Sequence, residues 1–390
     1  MSESDCKSRK RYWRVLPGII LAACLVGVSI PVARQLSDWV LALQGSDPSS
    51  SSGAVGPVSR VPVAILLGVL TRNLIPLPEI FLAGLRFCVG SVLRLGIIFV
   101  GIKLSLLDVF RMGAAGIPVV IVSITTGIVV LGWLSRRVNL PERLSVLIAA
   151  GTAICGVTAI AATAPTIEAE EQEVSCAMAN ITLFGMLGML FYPYVAHTLL
   201  DSPEKIGLFL GTAIHDTSQV VGAALTFRDV FHDEIAFKAA TVTKLTRNLF
   251  LAVVVPLLAY RYARGKARVR QEGMRSIASR AEIFRLLPAF VLGFVGMALL
   301  RTVGDLTLGG GFAFGVWDAA SWHEVTIQVG DVWGSQVCLA TAMASIGLMT
   351  RLAVFRAWGW KPFAVGLAGA LLVGAAGFAA TLLFGPWVRL

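Results

Sequence analysis

The sequence predicts an all-α polytopic membrane protein with about eleven transmembrane helices, ten of them grouped as two inverted five-helix repeats. Three observations carry this. First, 56% of the 390 residues are hydrophobic and only 14% are charged, where a soluble domain carries about 25% charged residues. That balance excludes a soluble enzyme, a secreted disulfide scaffold and a disordered chain. Second, apolar stretches near the roughly 20 residues needed to cross a bilayer recur along the whole chain. Third, the basic residues gather in alternate loops, as they do in membrane proteins whose cytoplasmic side is marked by Lys and Arg.

Taken in order, the expected spans are 16–36, 62–76, 82–104, 115–134, 144–165, 174–199, 206–227, 236–260, 286–301, 334–351 and 363–385. The first follows Lys7, Arg9, Lys10, Arg11 and Arg14. Leu21-Ala22-Ala23-Cys24 resembles a lipoprotein cleavage box, but the apolar run continues to Val28, which favours a retained helix. The second span is short, and the third carries Arg86, Arg94 and Lys103. The Ser/Gly-rich stretch from Gly45 to Gly56 reads as a flexible loop.

Loops on the side of the N-terminus hold 21 of the 33 basic residues, including Arg72, Arg136, Arg137, Arg143, Lys205 and eight between Arg261 and Arg285. Loops on the other side hold 14 of the 23 acids, among them Glu168, Glu170, Glu171 and Glu173. The expected topology is an N-terminus in the cytoplasm and a C-terminus in the periplasm. The net charge of +10 then reads as an orientation signal and not as a nucleic-acid footprint. The six cysteines form no CxxC pair, so neither a disulfide framework nor a metal site is expected.

An odd number of spans suggests one extra helix and two tandem five-helix sets of opposite orientation. The divisions are 1–61 for the N-terminus, first helix and loop, 62–200 for the first repeat and 201–390 for the second. Spans five and ten would then correspond, and both are rich in small residues around Cys155, Gly156 and Thr158 and around Gly347 and Thr350. Interrupted helices at matching positions point to a binding site; close helix packing is the alternative. The tetrapeptide Gly-Thr-Ala-Ile occurs at 151 and again at 211, and these copies fall in spans expected to run in the same direction.

Several groups are costly in hydrocarbon. His215 and Asp216 lie near the middle of span seven, and a mid-membrane carboxylate costs about 2.5–3.5 kcal/mol on insertion scales. Gln219 follows Asp216 at i+3 and could share its polar face. Lys244 and Arg247 lie three apart on one face of span eight. Two cations against the single carboxylate of Asp216 leave a positive excess suited to an anionic ligand, although a static Asp216 pair with either cation fits the sequence as well. Asn180 is a further polar group in an apolar run, in the manner of a helix-to-helix hydrogen bond. No P-loop, HExxH or nucleophile elbow occurs, which argues against ATP-driven transport and against an enzyme.

The segments Leu93-Arg94-Leu95-Gly96-Ile97, Ile154-Cys155-Gly156, Ile214-His215-Asp216-Thr217-Ser218-Gln219, Lys244-Leu245-Thr246-Arg247 and Gly347-Leu348-Met349-Thr350 together resemble the YeiH-type sulfate-exporter family of bacterial inner-membrane proteins. The resemblance covers most of the chain. It implies an architecture like that of cation/proton antiporters and bile-acid symporters, with a panel domain, a core domain and discontinuous crossing helices. The acidic pair of sodium/proton antiporters is missing from these motifs, and Thr158 stands where a smaller residue is usual. The expected function is a secondary transporter of a small anion by alternating access, the alternative being an anion channel or a non-transporting receptor on the same fold. Cys155, Gly156, Thr158, Gln219, Lys244, Arg247, Gly347 and Thr350 would bind substrate. His215, Asp216 and Asn180 would take the coupling proton or sodium ion, with no other cofactor. The expected partners are the anion, the lipid bilayer and a second copy of the chain, with no nucleic acid.

Overall fold

The computed structural model describes residues 3–43, 58–265, 289–351 and 359–387. The expected loop at 45–56 and most of the basic segment between 261 and 285 lie outside them. The described residues are helical, with one isolated bridge between Ala313 and Trp317. Among them, seven helices are long and apolar enough to cross a membrane, and a bent pair makes an eighth. The protein is an all-α polytopic membrane protein.

The chain divides into two compact units that do not follow its linear halves. Unit one comprises 1–106, 225–233 and 292–352, and unit two 107–224, 234–291 and 353–390.

Unit one contains α1 (Glu3–Leu43), α2 (Arg60–Leu74), α3 (Glu79–Phe87), α4 (Leu93–Val100), α13 (Ala289–Thr307, from its fourth residue), α14 (Ala319–Ile327) and α15 (Ala340–Met349). Ser59 starts α2 by accepting a hydrogen bond from the Val61 amide, the usual task of a serine at this position. With 15 residues α2 is about 22 Å long, shorter than the hydrocarbon core. A π-helical turn, Cys88–Val92, joins α3 to α4, and a 12-residue π-helix, Gln328–Leu339, joins α14 to α15. Gly347 sits inside α15 and not at a break. A side chain there would meet the Ile65 carbonyl at 2.3 Å, so its bareness lets α2 and α15 touch backbone to backbone.

Unit two holds α5 (Leu106–Arg137, from its second residue), α6 (Glu142–Ala153), α7 (Val157–Thr163), α8 (Glu171–Leu199), α9 (Pro203–Ala213), α11 (Glu234–Leu249), α12 (Leu251–Gly265) and α16 (Trp360–Phe384). It also holds the first half of α10 (Thr217–Phe231). The expected spans 144–165 and 206–227 are not straight crossings but helical hairpins. Arg143 at the start of α6 lies 3.7 Å from Glu170, just after α7, so α7 returns to the end from which α6 set out. Ile160 of α7 accordingly packs against Gly151 of α6.

The second hairpin follows from a register. Gly207 lies against Ala236–Ala240 and Gly211 against Ala240–Thr243, so α9 and α11 run parallel. The intervening α10 must therefore run back. Tyr262, at the far end of the α11–α12 pair, accepts a hydrogen bond from Arg143. The α6–α7 hairpin thus opens at one end of unit two and the α9–α10 hairpin at the other, with α8 running between these ends. Capping agrees with the starts of both helices: Glu170 and Glu173 form a reciprocal box at α8, and Ser202 with Pro203 opens α9.

Candidate functional site

Both hairpin tips follow the same tetrapeptide. Gly151-Thr152-Ala153-Ile154 ends α6, and Gly211-Thr212-Ala213-Ile214 ends α9. Ile154, Cys155 and Gly156 make the first tip, and Ile214, His215 and Asp216 the second. Gly156 has φ +68° and ψ −126°, a conformation open only to glycine. A β-carbon on Gly156 would also meet Asp216 Oδ2 at 2.7 Å. The two tips therefore touch at Gly156 and Asp216.

A helix end leaves its last carbonyls without intrahelical partners. Here those of α6 and α9 are answered by α11. Lys244 Nζ donates to the carbonyls of Ile154 and Ile214, each at 3.1 Å, and to that of His215. Arg247 donates from Nε to Ala153 (3.0 Å), from Nη2 to Thr152 (2.6 Å) and from Nη1 to Thr212 and Ile214 (2.7 and 3.3 Å). Both side chains are fully buried. Cations at helix C-termini also suit the negative end of the helix dipole. Each cation bridges the two tips, and the ion pairs among the described residues do not include either of them.

Asp216 caps α10. Its Oδ1 accepts hydrogen bonds from the Ser218 amide (2.9 Å) and hydroxyl, while its own amide donates to Gln219 Oε1 at 3.2 Å. Gln219 Nε2 in turn donates to the Thr182 carbonyl of α8 at 3.1 Å. Asn248 Nδ2 reaches Thr217 Oγ1 at 3.2 Å, whereas Asn248 Oδ1, His215 Nδ1, Thr152 Oγ1 and Thr243 Oγ1 are buried without hydrogen-bond partners. Cys155 is buried and Thr158 exposed, and Asp216 and Thr217 are half-buried. In the loop before α9, the Lys205 ammonium holds the Asp201 carboxyl below the usual carboxylate range. Among the described residues no three His, Cys, Asp or Glu side chains converge as a metal site would require.

The structure therefore brings together Cys155, Gly156, His215, Asp216, Gln219, Lys244 and Arg247, with Thr158 at the first turn beyond the tip. Of the other three candidates, Asn180 lies elsewhere in unit two and Gly347 and Thr350 belong to unit one. Asn180 donates to the Pro362 carbonyl at 2.6 Å and lies against Gly366, so it joins α8 to α16. In unit one Gly347 packs on α2 and the Thr350 carbonyl accepts from Asn73. The helix break that matches 154–156 lies at 214–216 and not near 347.

A second polar cluster escaped the sequence reading. In unit one, Asp331 on the π-helix takes Lys103 Nζ at 2.5 Å and Arg228 Nη1 at 3.4 Å. Asp229 takes Arg228 at 3.1 Å and Ser59 at 3.2 Å, with Arg60 at 4.0 Å. Its signal was the interruption of two apolar runs by Lys103 and Asp331. Both are near expected span ends, where a charge attracts no notice.

Comparison with known proteins agrees with a membrane protein. The family model described as conserved hypothetical protein 698 matches residues 18–366. The UPF0324 inner membrane protein YeiH of Salmonella typhi is 30% identical over 368 residues, covering 92% of this chain and 91% of the relative. A UPF0324 membrane protein of Streptococcus pyogenes serotype M18 is 32% identical, covering 82% of this chain and 88% of its own. One from Nitratidesulfovibrio vulgaris is 31% identical, covering 83% of each. With so much of its length matched, the chain belongs to the conserved hypothetical protein 698 family, that of the UPF0324 membrane proteins.

Proposed function

We propose that this protein is a secondary carrier of a small anion, such as sulfate, a sulfonate or an organic anion. It works by alternating access across the inner membrane, coupled to protons or sodium. The observation that carries the reading is the buried pair Lys244 and Arg247 between two hairpin tips. Carbonyl dipoles satisfy their hydrogen bonds but carry no net charge. Two cations and one nearby carboxylate leave a positive excess where charge is expensive, and an anion completes it. Hairpins that enter from opposite ends put one site within reach of either side, as a carrier requires.

In this reading the N-terminus is cytoplasmic and the C-terminus periplasmic, which the basic loops support. Replacing two straight crossings by two hairpins preserves this, because each hairpin returns to its own side and the parity of crossings is unchanged. The Glu168–Glu173 segment then moves to the cytoplasmic side and Lys205 to the periplasmic side.

The test is flux of radiolabelled sulfate and methanesulfonate into proteoliposomes containing the purified full chain. Saturable uptake, accelerated by the same anion trapped inside, is the expected result. Flux that does not saturate would point to a channel. Saturable transport of a neutral or cationic solute with no anion response would sink the reading.

A further inference from the structure

The α9–α10 tip contains its own anion. The first turn of α10 presents free amides and the positive end of a helix dipole, and the group that occupies this position is the Asp216 carboxylate through Oδ1. Its other oxygen lies over Gly156 at the contact between the tips. A ligand anion drawn by Lys244 and Arg247 into this junction would meet Asp216 there. One further observation marks the junction as a ligand position. His215, beside Asp216 in the tip and 2% exposed, leaves the ring nitrogen Nδ1, which can donate to an anion, without a partner.

We propose that Asp216 is an intramolecular competitor of the transported anion, so that anion binding requires Asp216 to take up a proton, and that anion and proton move together in one direction. This rests on the carrier reading above and specifies its coupling. The groups facing Asp216 are few. From the α6–α7 tip there is Cys155; from α11 there is Lys244, with Arg247 one turn further on; from its own segment there are His215, Ser218 and Gln219; from α8, among the described residues, there is the Thr182 carbonyl held by Gln219. A proton on Asp216 removes the one negative charge and leaves two fixed positive charges, the complement of a dianion such as sulfate.

The proposal is tested by titrating purified full-length protein with inorganic sulfate between pH 5.5 and 8.5, by calorimetry and by thermal shift. For the wild type, the apparent Kd should weaken about tenfold per pH unit wherever Asp216 is ionised in the free protein, and about one proton should be taken up per sulfate bound in weak buffer. Asp216→Asn should bind sulfate with no such slope, at least as tightly as the wild type at its lowest pH. The proton count needs no variant and decides the matter even if Asp216→Asn does not fold. Sulfate binding that is independent of pH and releases or takes up no proton overturns the proposal and leaves the carrier reading standing. So does binding that requires sodium in the wild type and not in Asp216→Asn. Absence of binding of sulfate or any other anion, in both proteins at every pH, overturns the carrier reading itself.

Discussion

The two hairpin tips begin alike and end differently. Each follows Gly-Thr-Ala-Ile, each leaves its helix at the isoleucine, and each has its carbonyls held by Lys244 and Arg247. The next two residues are Cys155-Gly156 in one and His215-Asp216 in the other. Gly156 and Asp216 occupy the same place in the two tips and meet each other. One tip thus contributes backbone in a glycine-only conformation, and the other contributes the ionisable chemistry. The difference teaches that the shared tetrapeptide builds the turn, while the two residues after it decide what the turn does.

What the tips share should be broken most severely at Arg247. Arg247→Met removes donors from carbonyls of both α6 and α9, and each buried polar group left unsatisfied costs about 1–3 kcal/mol. The combined loss is on the order of 3–5 kcal/mol, read as a large drop in thermal midpoint in detergent. Arg247→Lys should recover part of it, because the single nitrogen of a lysine can serve some of these carbonyls but does not reproduce the planar fork of three nitrogens. If Arg247→Met unfolds no more easily than the wild type, the tips are not held as described.

What distinguishes the tips should appear at Gly156. Gly156→Ala forces a side chain into a backbone region it disfavours, at a cost of about 1–3 kcal/mol, and adds a collision with Asp216 at 2.7 Å. In an Asp216→Ala background the contact with Oδ2 is removed, while those with the β- and α-carbons, at 2.9 and 3.0 Å, remain. The cost of Gly156→Ala should therefore fall in part, by about 1 kcal/mol, within the range seen for directly touching residues. Equal costs in the two backgrounds, measured by chemical unfolding, would mean that the Asp216 carboxylate does not lie against Gly156.

The long apolar helices were legible because composition alone specifies them: α5 and α8 need no partner to be read as spans. The hairpins were not. A 22-residue window such as 144–165 has the length of a crossing whether the chain continues or turns back at Ile154. The charge pattern could not object, since two hairpins change the number of crossings by two and leave the final side unaltered. The one visible sign was the repeated Gly-Thr-Ala-Ile, which looked like an argument against symmetry because straight spans five and seven would run in the same direction. Hairpins remove that objection. Lys244 and Arg247 were legible as buried charges, but their partners are main-chain carbonyls, which no pattern of side chains displays. Gly347 misled for the opposite reason, since a glycine used for close packing and a glycine used at a break are the same letter.

The smallest effect expected lies away from the tips, and it is the control for all of the others. Asn180 was grouped with His215 and Asp216 because an amide inside an apolar run is costly, and its bond to the Pro362 carbonyl supplies a sufficient reason for its presence. Asn180→Ala should cost about 0.5–1.5 kcal/mol, the usual net worth of such a hydrogen bond; measured interhelical bonds in membranes average about 0.6 kcal/mol. The loss should appear in the unfolding midpoint and nowhere else. Gly366, which touches Asn180, already brings α16 close to α8, so truncation to alanine leaves the helices packed. Sulfate affinity, its pH slope and the proton count should match the wild type. A changed slope in Asn180→Ala would mean that the α8–α16 contact is coupled to Asp216, and the site could no longer be confined to the two tips and the α11 cations between them.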